Sequence, residues 1–201
     1  APDQAIEASK DKFFPTLGGR FFNTPGQNRT LMPWGMSDHI DRRIDPTSVE
    51  DLTYAEVESR RLMMEQIDRL QADVPGFANA YLADAADQLG ITETRRLVGD
   101  YVLAADDDQR SFDDAIAVTG HWTRYGARYQ IPFRALRHGA ISNLLVSGRC
   151  ISVDRRVHNA TKEIPACIAT GQAAGTAAAQ AAAGKGDVGK IDVDALRAAL
   201  L

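Results

Sequence analysis

The chain has 201 residues, long enough to bury a sizeable core as one large domain or two small ones. Its 23 basic and 27 acidic residues leave a formal net charge of -4, which lacks the basic footprint of a nucleic-acid or anionic-membrane binder and turns attention to small molecules and proteins. No apolar run free of charges is long enough to span a bilayer, and two cysteines, Cys150 and Cys167, are too few for a disulfide framework or a four-ligand zinc site.

The opening residues, APDQAIEASKDK, lack the charged-then-apolar order of an export signal. With so few cysteines, a reducing compartment, the cytoplasm, is the expected location. A start on Ala1 rather than Met points to a segment removed upstream. Residues 13–40, FFPTLGGRFFNTPGQNRTLMPWGMSDHI, alternate short aromatic or apolar runs with GG, PG and PWG breakers. This reads as two or three short strands joined by turns. Next, DLTYAEVESRRLMMEQIDRLQADVPG predicts a strong helix: Thr53 and Glu56 suit a capping box, Val57, Met64, Ile67 and Leu70 recur at helical spacing, and Pro75-Gly76 end it.

Residues 77–89, FANAYLADAADQL, read as a second helix stopped by Gly90. The alternation in ITETRRLVGDYVL then predicts a half-buried strand. Arg95 and Arg96 would lie on opposite faces of it, so at most one points inward, toward a substrate carboxylate or an ion pair. The acidic stretch ADDDQRSFDD reads as a solvated loop leading into a short helix over 112–117 rather than as a metal site, since three adjacent aspartates cannot all face one ion. HWTRYGARYQIPFRAL, 121–136, is dense in aromatic and imidazole side chains around a proline that confines any strand to an edge or crossover.

NLLVSGRCIS, from 143, predicts a buried strand ending at a glycine and an arginine. IPACIATGQAAGTAAAQAAAG, from 164, predicts a helix of almost entirely small residues, with Pro165 near its first position. Gly171 and Gly175 stand four apart on one face of that helix, and each costs about 1 kcal/mol relative to alanine. Close approach of another backbone is the expected return. A strand delivering its end to a loop, followed by a helix with free amides, is a binding geometry for an anionic or delocalised ligand. The tail IDVDALRAALL predicts a short amphipathic helix, and no repeat of solenoid length is present.

YQIPFRAL, NLLVSGRCIS and IPACIATGQAAGTAAAQA, in that order, resemble the C-terminal end of the FAD-dependent oxidoreductase family. DLTYAEVESRR, TRRLVGDYVL and FDDAIAVTGHWT resemble its upstream parts, so the likeness covers nearly the whole chain. The resemblance implies that the backbone at Gly148 and Arg149, with the adjoining Cys150, passes the ribityl and phosphate region of FAD. It implies that the long helix aims its N-terminus at the pyrimidine edge of the flavin, where the backbone around Ile164 and Ala166 stabilises negative charge and Pro165 has no N–H to donate. His121 and Tyr125 are the candidates to face substrate as acid, base or hydrogen-bond donor, against an equally plain reading as aromatic packing. His158 falls in the loop before the helix, within reach of flavin or solvent, and Cys150 and Cys167 read as small packing residues rather than a redox dithiol.

The strand, GxGxxG loop and helix that hold the ADP half of FAD in this family have no counterpart in the sequence; Gly18-Gly19 and Gly139 lie in the wrong contexts. The expectation is therefore the C-terminal part of a two-domain FAD-binding oxidoreductase, of α+β or α/β class. Residues 1–136 would form a mixed-sheet substrate region, and 137–201 the last strand and helices of a Rossmann-like FAD domain. Its partners would be an N-terminal half carrying GxGxxG and a small organic substrate, with hydride passing to or from the flavin. A non-catalytic scaffold derived from a flavoprotein is the alternative.

Overall fold

A computed structural model describes residues 22–23, 29–31, 40–121 and 123–200. The chain divides into two compact units, 1–91 and 92–201, so residue 136 lies inside the second. Among the described residues no helix is long and apolar enough to cross a membrane.

In the first unit, β1 (Phe22–Asn23) pairs antiparallel with β2 (Thr30–Leu31), Phe22 opposite Leu31. The other strands expected between 13 and 40 lie outside the described residues. Helix α1 (Val49–Asp73) starts one turn earlier than the sequence signal: Ser48 is its N-cap and accepts the Asp51 amide at 3.2 Å. Thr53 is already inside the helix, its hydroxyl donating to the Val49 carbonyl at 2.8 Å, and Glu56 pairs with Arg60. The capping box is therefore corrected: Ser48 caps the Asp51 amide, and the acidic Glu50 and Asp51 sit in the first turn at the positive end of the helix. The helix does end before Pro75-Gly76, with Val74 as C-cap and Gly76 at φ 92°.

The face that α1 buries is Ala55, Ser59, Gln66 and Leu70, while Val57 and Met64 of the expected stripe are exposed. Leu70 and Val74 form a small apolar cluster with Leu62, Met63, Ile67 and Phe77. Residues 77–90 form no helix. Their carbonyls are taken by α1 side chains instead: Gln71 donates to Ala80 O at 2.7 Å, and Arg60 donates to Ala86 O and Asp87 O. Asp84 also competes locally for backbone, accepting the Ala85 amide at 2.8 Å.

The second unit is built on an antiparallel hairpin, β3 (Ala115–His121) and β4 (Arg124–Pro132), with Val118 opposite Gln130. Alternation makes β4: Ala127, Tyr129 and Ile131 point into the core. The strand ends at Pro132, as a proline demands. Residues 115–117 thus belong to a strand rather than to the expected short helix, because pairing with β4 satisfies their backbone. The acidic stretch is a 3-10 turn, Ala105–Asp107, pinned to its surroundings. Asp107 is buried and accepts Tyr101 Oη at 2.7 Å, the Ala104 amide at 3.0 Å and Arg110 at 2.9 Å. Asp108 accepts the Arg128 amide of β4 at 2.9 Å.

Three helices follow: α2 (Arg155–Thr161), α3 (Ile164–Ala183) and α4 (Val193–Leu200). α3 lies on β3 and against α4. The core joins Leu103, Phe112, Tyr129, Ile131, Leu136, Ile151, Val157 and Leu196 to the alanines of α3. α3 buries Ala166, Thr170, Ala173, Ala177 and Ala181. A Cβ added at Gly171 or Gly175 would meet nothing within 4 Å. Among the described residues the close approach expected at the glycines is therefore absent; the tight contact runs through the alanine face.

Two expected strands are also corrected. Residues 91–103 form no ladder, because their amides alternate between two segments: Leu97 to Cys150 O and Leu103 to Ser152 O on one, and Asp100 to Arg137 O on the other. Gly99 is required in this strap, since a Cβ there would stand 2.8 Å from Ser152 Cβ. Arg95 and Arg96 are both exposed. NLLVSG is neither a strand nor buried; Leu145 makes an isolated antiparallel bridge to Arg137, and Val146 donates to Leu136 O at 2.8 Å. A buried strand needs hydrogen-bonding neighbours along its length, and this segment has one bridge. The class is α+β, a small antiparallel sheet with helices.

Candidate functional site

Pro165 sits at the start of α3, where its missing N–H costs nothing. Glu163 is the N-cap residue but makes no side-chain cap bond. The first turn therefore presents the Ile164 and Ala166 amides and the positive end of a twenty-residue helix without a capping side chain. Ile164 is 71% exposed and Ala166 is buried.

Against this end lies the turn Gly148–Cys150, a 3-10 turn where a strand end was expected. Gly148 has φ 68°, a left-handed conformation that glycine adopts without strain. Its amide donates to Thr170 Oγ1 at 3.0 Å, nearly two turns into α3, which fixes the turn beside the N-terminal half of the helix. Arg149 and Cys150 are exposed. Cys167 is partly buried, with Sγ 3.3 Å from the Lys162 carbonyl. Burial pushes its thiol above the ordinary value despite the opposing charge of Arg149, so it is a poor thiolate at neutral pH. Cys150 is not the buried packing residue expected of it; both cysteines are free.

α2 supports both halves of this region. Asp154 caps it, accepting the Val157 amide at 2.7 Å. From one side it receives His121 of β3, whose Nε2 is 3.3 Å from Arg156 O, while Nδ1 accepts the Thr123 amide at 3.2 Å. Both ring nitrogens of His121 are thus engaged. Tyr125, at the turn of the hairpin, is 97% exposed. From the other side α2 holds the Gly148–Cys150 turn: His158 Nε2 lies 3.0 Å from Arg149 O. His158 is therefore not a loop residue but a buried helical one, 1% exposed.

Sequence reasoning missed the group around that ring. Glu93 Oε1 lies 3.7 Å from His158 Nδ1 and 3.1 Å from Lys162 Nζ. Partial burial works to raise the Glu93 carboxyl, but Lys162 and then His158 outweigh it and hold it below its ordinary value. No local pattern could have found this group, because Glu93 reaches α2 only through the course of the strap. Two open depressions, of about 520 Å³ beside Ile40 and Gly90 and about 300 Å³ beside Arg134 and Val193, include none of the expected site residues.

The structure therefore brings the Gly148–Cys150 turn against α3 at Cys167 and Thr170, just beyond its first-turn residues Ile164, Pro165 and Ala166, and joins His121 to α2, which also holds the turn. An uncapped helix start beside a glycine turn suits the delocalised negative charge of a flavin edge. A family model described as FAD dependent oxidoreductase matches residues 3–200. The chain belongs to that family: it is a flavoprotein chain of oxidoreductase class, and its cofactor is FAD. No curated protein and no solved structure matches it.

Proposed function

We propose that this chain is the C-terminal part of a flavoenzyme that oxidises or reduces a small organic substrate. The N-terminal part, carrying GxGxxG and the ADP half of the site, completes it. The observation that carries this reading is the first turn of α3, uncapped and set beside the Gly148–Cys150 turn, in a chain of FAD dependent oxidoreductase type. Bound FAD supplies the hydride chemistry at its N5.

The protein's own groups have three tasks. The Ile164 and Ala166 amides stabilise negative charge on the pyrimidine edge, and Pro165 pre-sets the turn without competing as a donor. Gly148, Arg149 and Cys150 border the ribityl and phosphate portion. Tyr125 offers a hydrogen bond to the substrate, and His121, its ring held by the Arg156 carbonyl and the Thr123 amide, shapes the same side, with residues 1–136 forming the substrate region and 137–201 lying in the FAD domain. The exposed face of α3, with Ile164, Ile168, Gly171 and Gly175, is where the N-terminal part rests its backbone.

The test is to assemble the chain with its GxGxxG-bearing part and record the flavin absorption band. A bound flavin is expected, and Ile164→Glu, at an exposed position, is expected to weaken flavin binding about tenfold by placing an anion at the helix start. A fully assembled complex that holds no flavin ends the proposal. Flavin binding and turnover untouched by Ile164→Glu favour the scaffold reading.

A further inference from the structure

His158 is fully buried, 1% exposed, and the reading above gives it no task. Its Nε2 faces the Arg149 carbonyl at 3.0 Å. A carbonyl oxygen only accepts, so Nε2 carries a hydrogen and donates it. Nδ1 is buried without a hydrogen-bond partner among the described residues, and it faces Glu93 Oε1 at 3.7 Å. With Nε2–H assigned, Nδ1 presents to that carboxylate either a lone pair, which is repelled, or a second N–H, which is attracted. The ring thus stands between two segments that also share the bond from Leu97 N to Cys150 O, at 2.8 Å.

We propose that His158 is a positioning residue whose ring clamps the Gly148–Cys150 turn to the strap carrying Glu93 and Leu97, closed when Nδ1 holds a proton and loosened when it does not. Charged and titratable groups on the surrounding elements are Glu93 on the strap, Asp154 and Lys162 at the two ends of α2, Arg149 and Cys150 on the turn, and Glu163 and Cys167 at the start of α3. Lys162 shares the Glu93 carboxylate, so the clamp is a three-member contact of ring, carboxylate and ammonium. Its consequence for the cofactor rests on the flavin reading above, because the turn it shapes is the one assigned to the ribityl and phosphate portion. The clamp itself does not depend on that reading.

Nitrogen-15 spectra of the histidine rings in the full chain, recorded across pH with amide exchange at Leu97, test the clamp without flavin. The expected result is a ring with Nε2 always protonated, Nδ1 gaining a proton as pH is lowered, and Leu97 protection falling roughly tenfold or more as pH rises and that proton leaves. Glu93→Gln should abolish the dependence. His158→Gln, which retains a donor for Arg149 but does not titrate, should leave Leu97 protection flat with pH. A neutral ring protonated at Nδ1, or Leu97 protection indifferent to the proton on Nδ1, overturns the proposal, and both are read on the unsubstituted chain even if a variant fails to fold. In the assembled flavoprotein the flavin band should shift with the same titration. A clamp that titrates beneath an unmoved flavin band refutes the positioning role, whereas a titrating clamp in a complex without flavin refutes the flavin reading alone.

Discussion

At the scale of single residues, glycines separate two physical situations that look alike in a sequence. Gly99 is held against Ser152 Cβ, which a Cβ at Gly99 would approach to 2.8 Å, and backbone carbonyls crowd the same side. Gly99→Ala should cost about 1–3 kcal/mol as overpacking. Gly171 and Gly175 have open space around them inside a regular helix. Alanine at either should raise the stability of the isolated chain by about 1 kcal/mol. Thermal unfolding of the three variants checks both signs. Asp107 gives a pH prediction. Burial works to raise its carboxyl, but the Ala104 amide, Tyr101 and Arg110 outweigh that and hold it below the ordinary value. A carboxyl depressed in the folded state contributes stability that is present above its unfolded pKa and lost as pH falls through its folded one. Asp107→Asn should therefore lower stability at neutral pH by about 1–3 kcal/mol and flatten the acid limb of the stability curve.

At the scale of elements, α1 shows how a helix start is decided. Ser48 and Thr53 both suit a cap by residue type, but only Ser48 accepts a first-turn amide; Thr53 bonds back to Val49 O inside the helix. Ser48→Ala should destabilise the chain by about 1 kcal/mol, as loss of a cap does. Thr53→Ala should be neutral or slightly stabilising, because alanine is the better helix former. Circular dichroism and thermal unfolding of the pair distinguish the two starts. α3 shows the complementary case. Its placement depends on which face meets β3, and the face chosen is the one with Cβ atoms to bury.

At the scale of the whole molecule, the chain is two compact units whose described cores are unequal. The second holds an apolar cluster running from Leu103 to Leu196, with hairpin, strap and three helices all contributing. Residues 92–201 expressed alone should fold and unfold cooperatively, with a single transition in denaturant. A gradual, non-cooperative loss of helix signal would show that this cluster does not suffice. Family membership spans both units, since the family match runs through 3–200.

The sequence by itself determined the elements whose signals are local. α1 was legible as a helix ended by Pro75-Gly76, though Val57 and Met64 of its expected apolar stripe are exposed, α3 from Pro165 and its run of helix formers, α4 from its amphipathic pattern, and the family from resemblance along nearly the whole chain. The turn at the acidic stretch was legible, but not the burial of Asp107, which depends on Tyr101, Arg110 and the Ala104 amide closing around it. What needed the tertiary structure is everything that turns on a distant partner. NLLVSG and ITETRRLVGDYVL have strand-like composition, but a strand exists only where a neighbour offers a ladder, and these segments meet bridges and single bonds instead. Residues 77–90 lose a helix to α1 side chains that claim their carbonyls. α3 carries almost no periodic signal, because nearly every position is small, so only β3 and α4 could select its buried face. The burial of His158 between Arg149 and Glu93 was settled by the path of the strap. Composition sets what each segment is able to do locally, and long-range contact, with no local signature, decides which of those options has a partner.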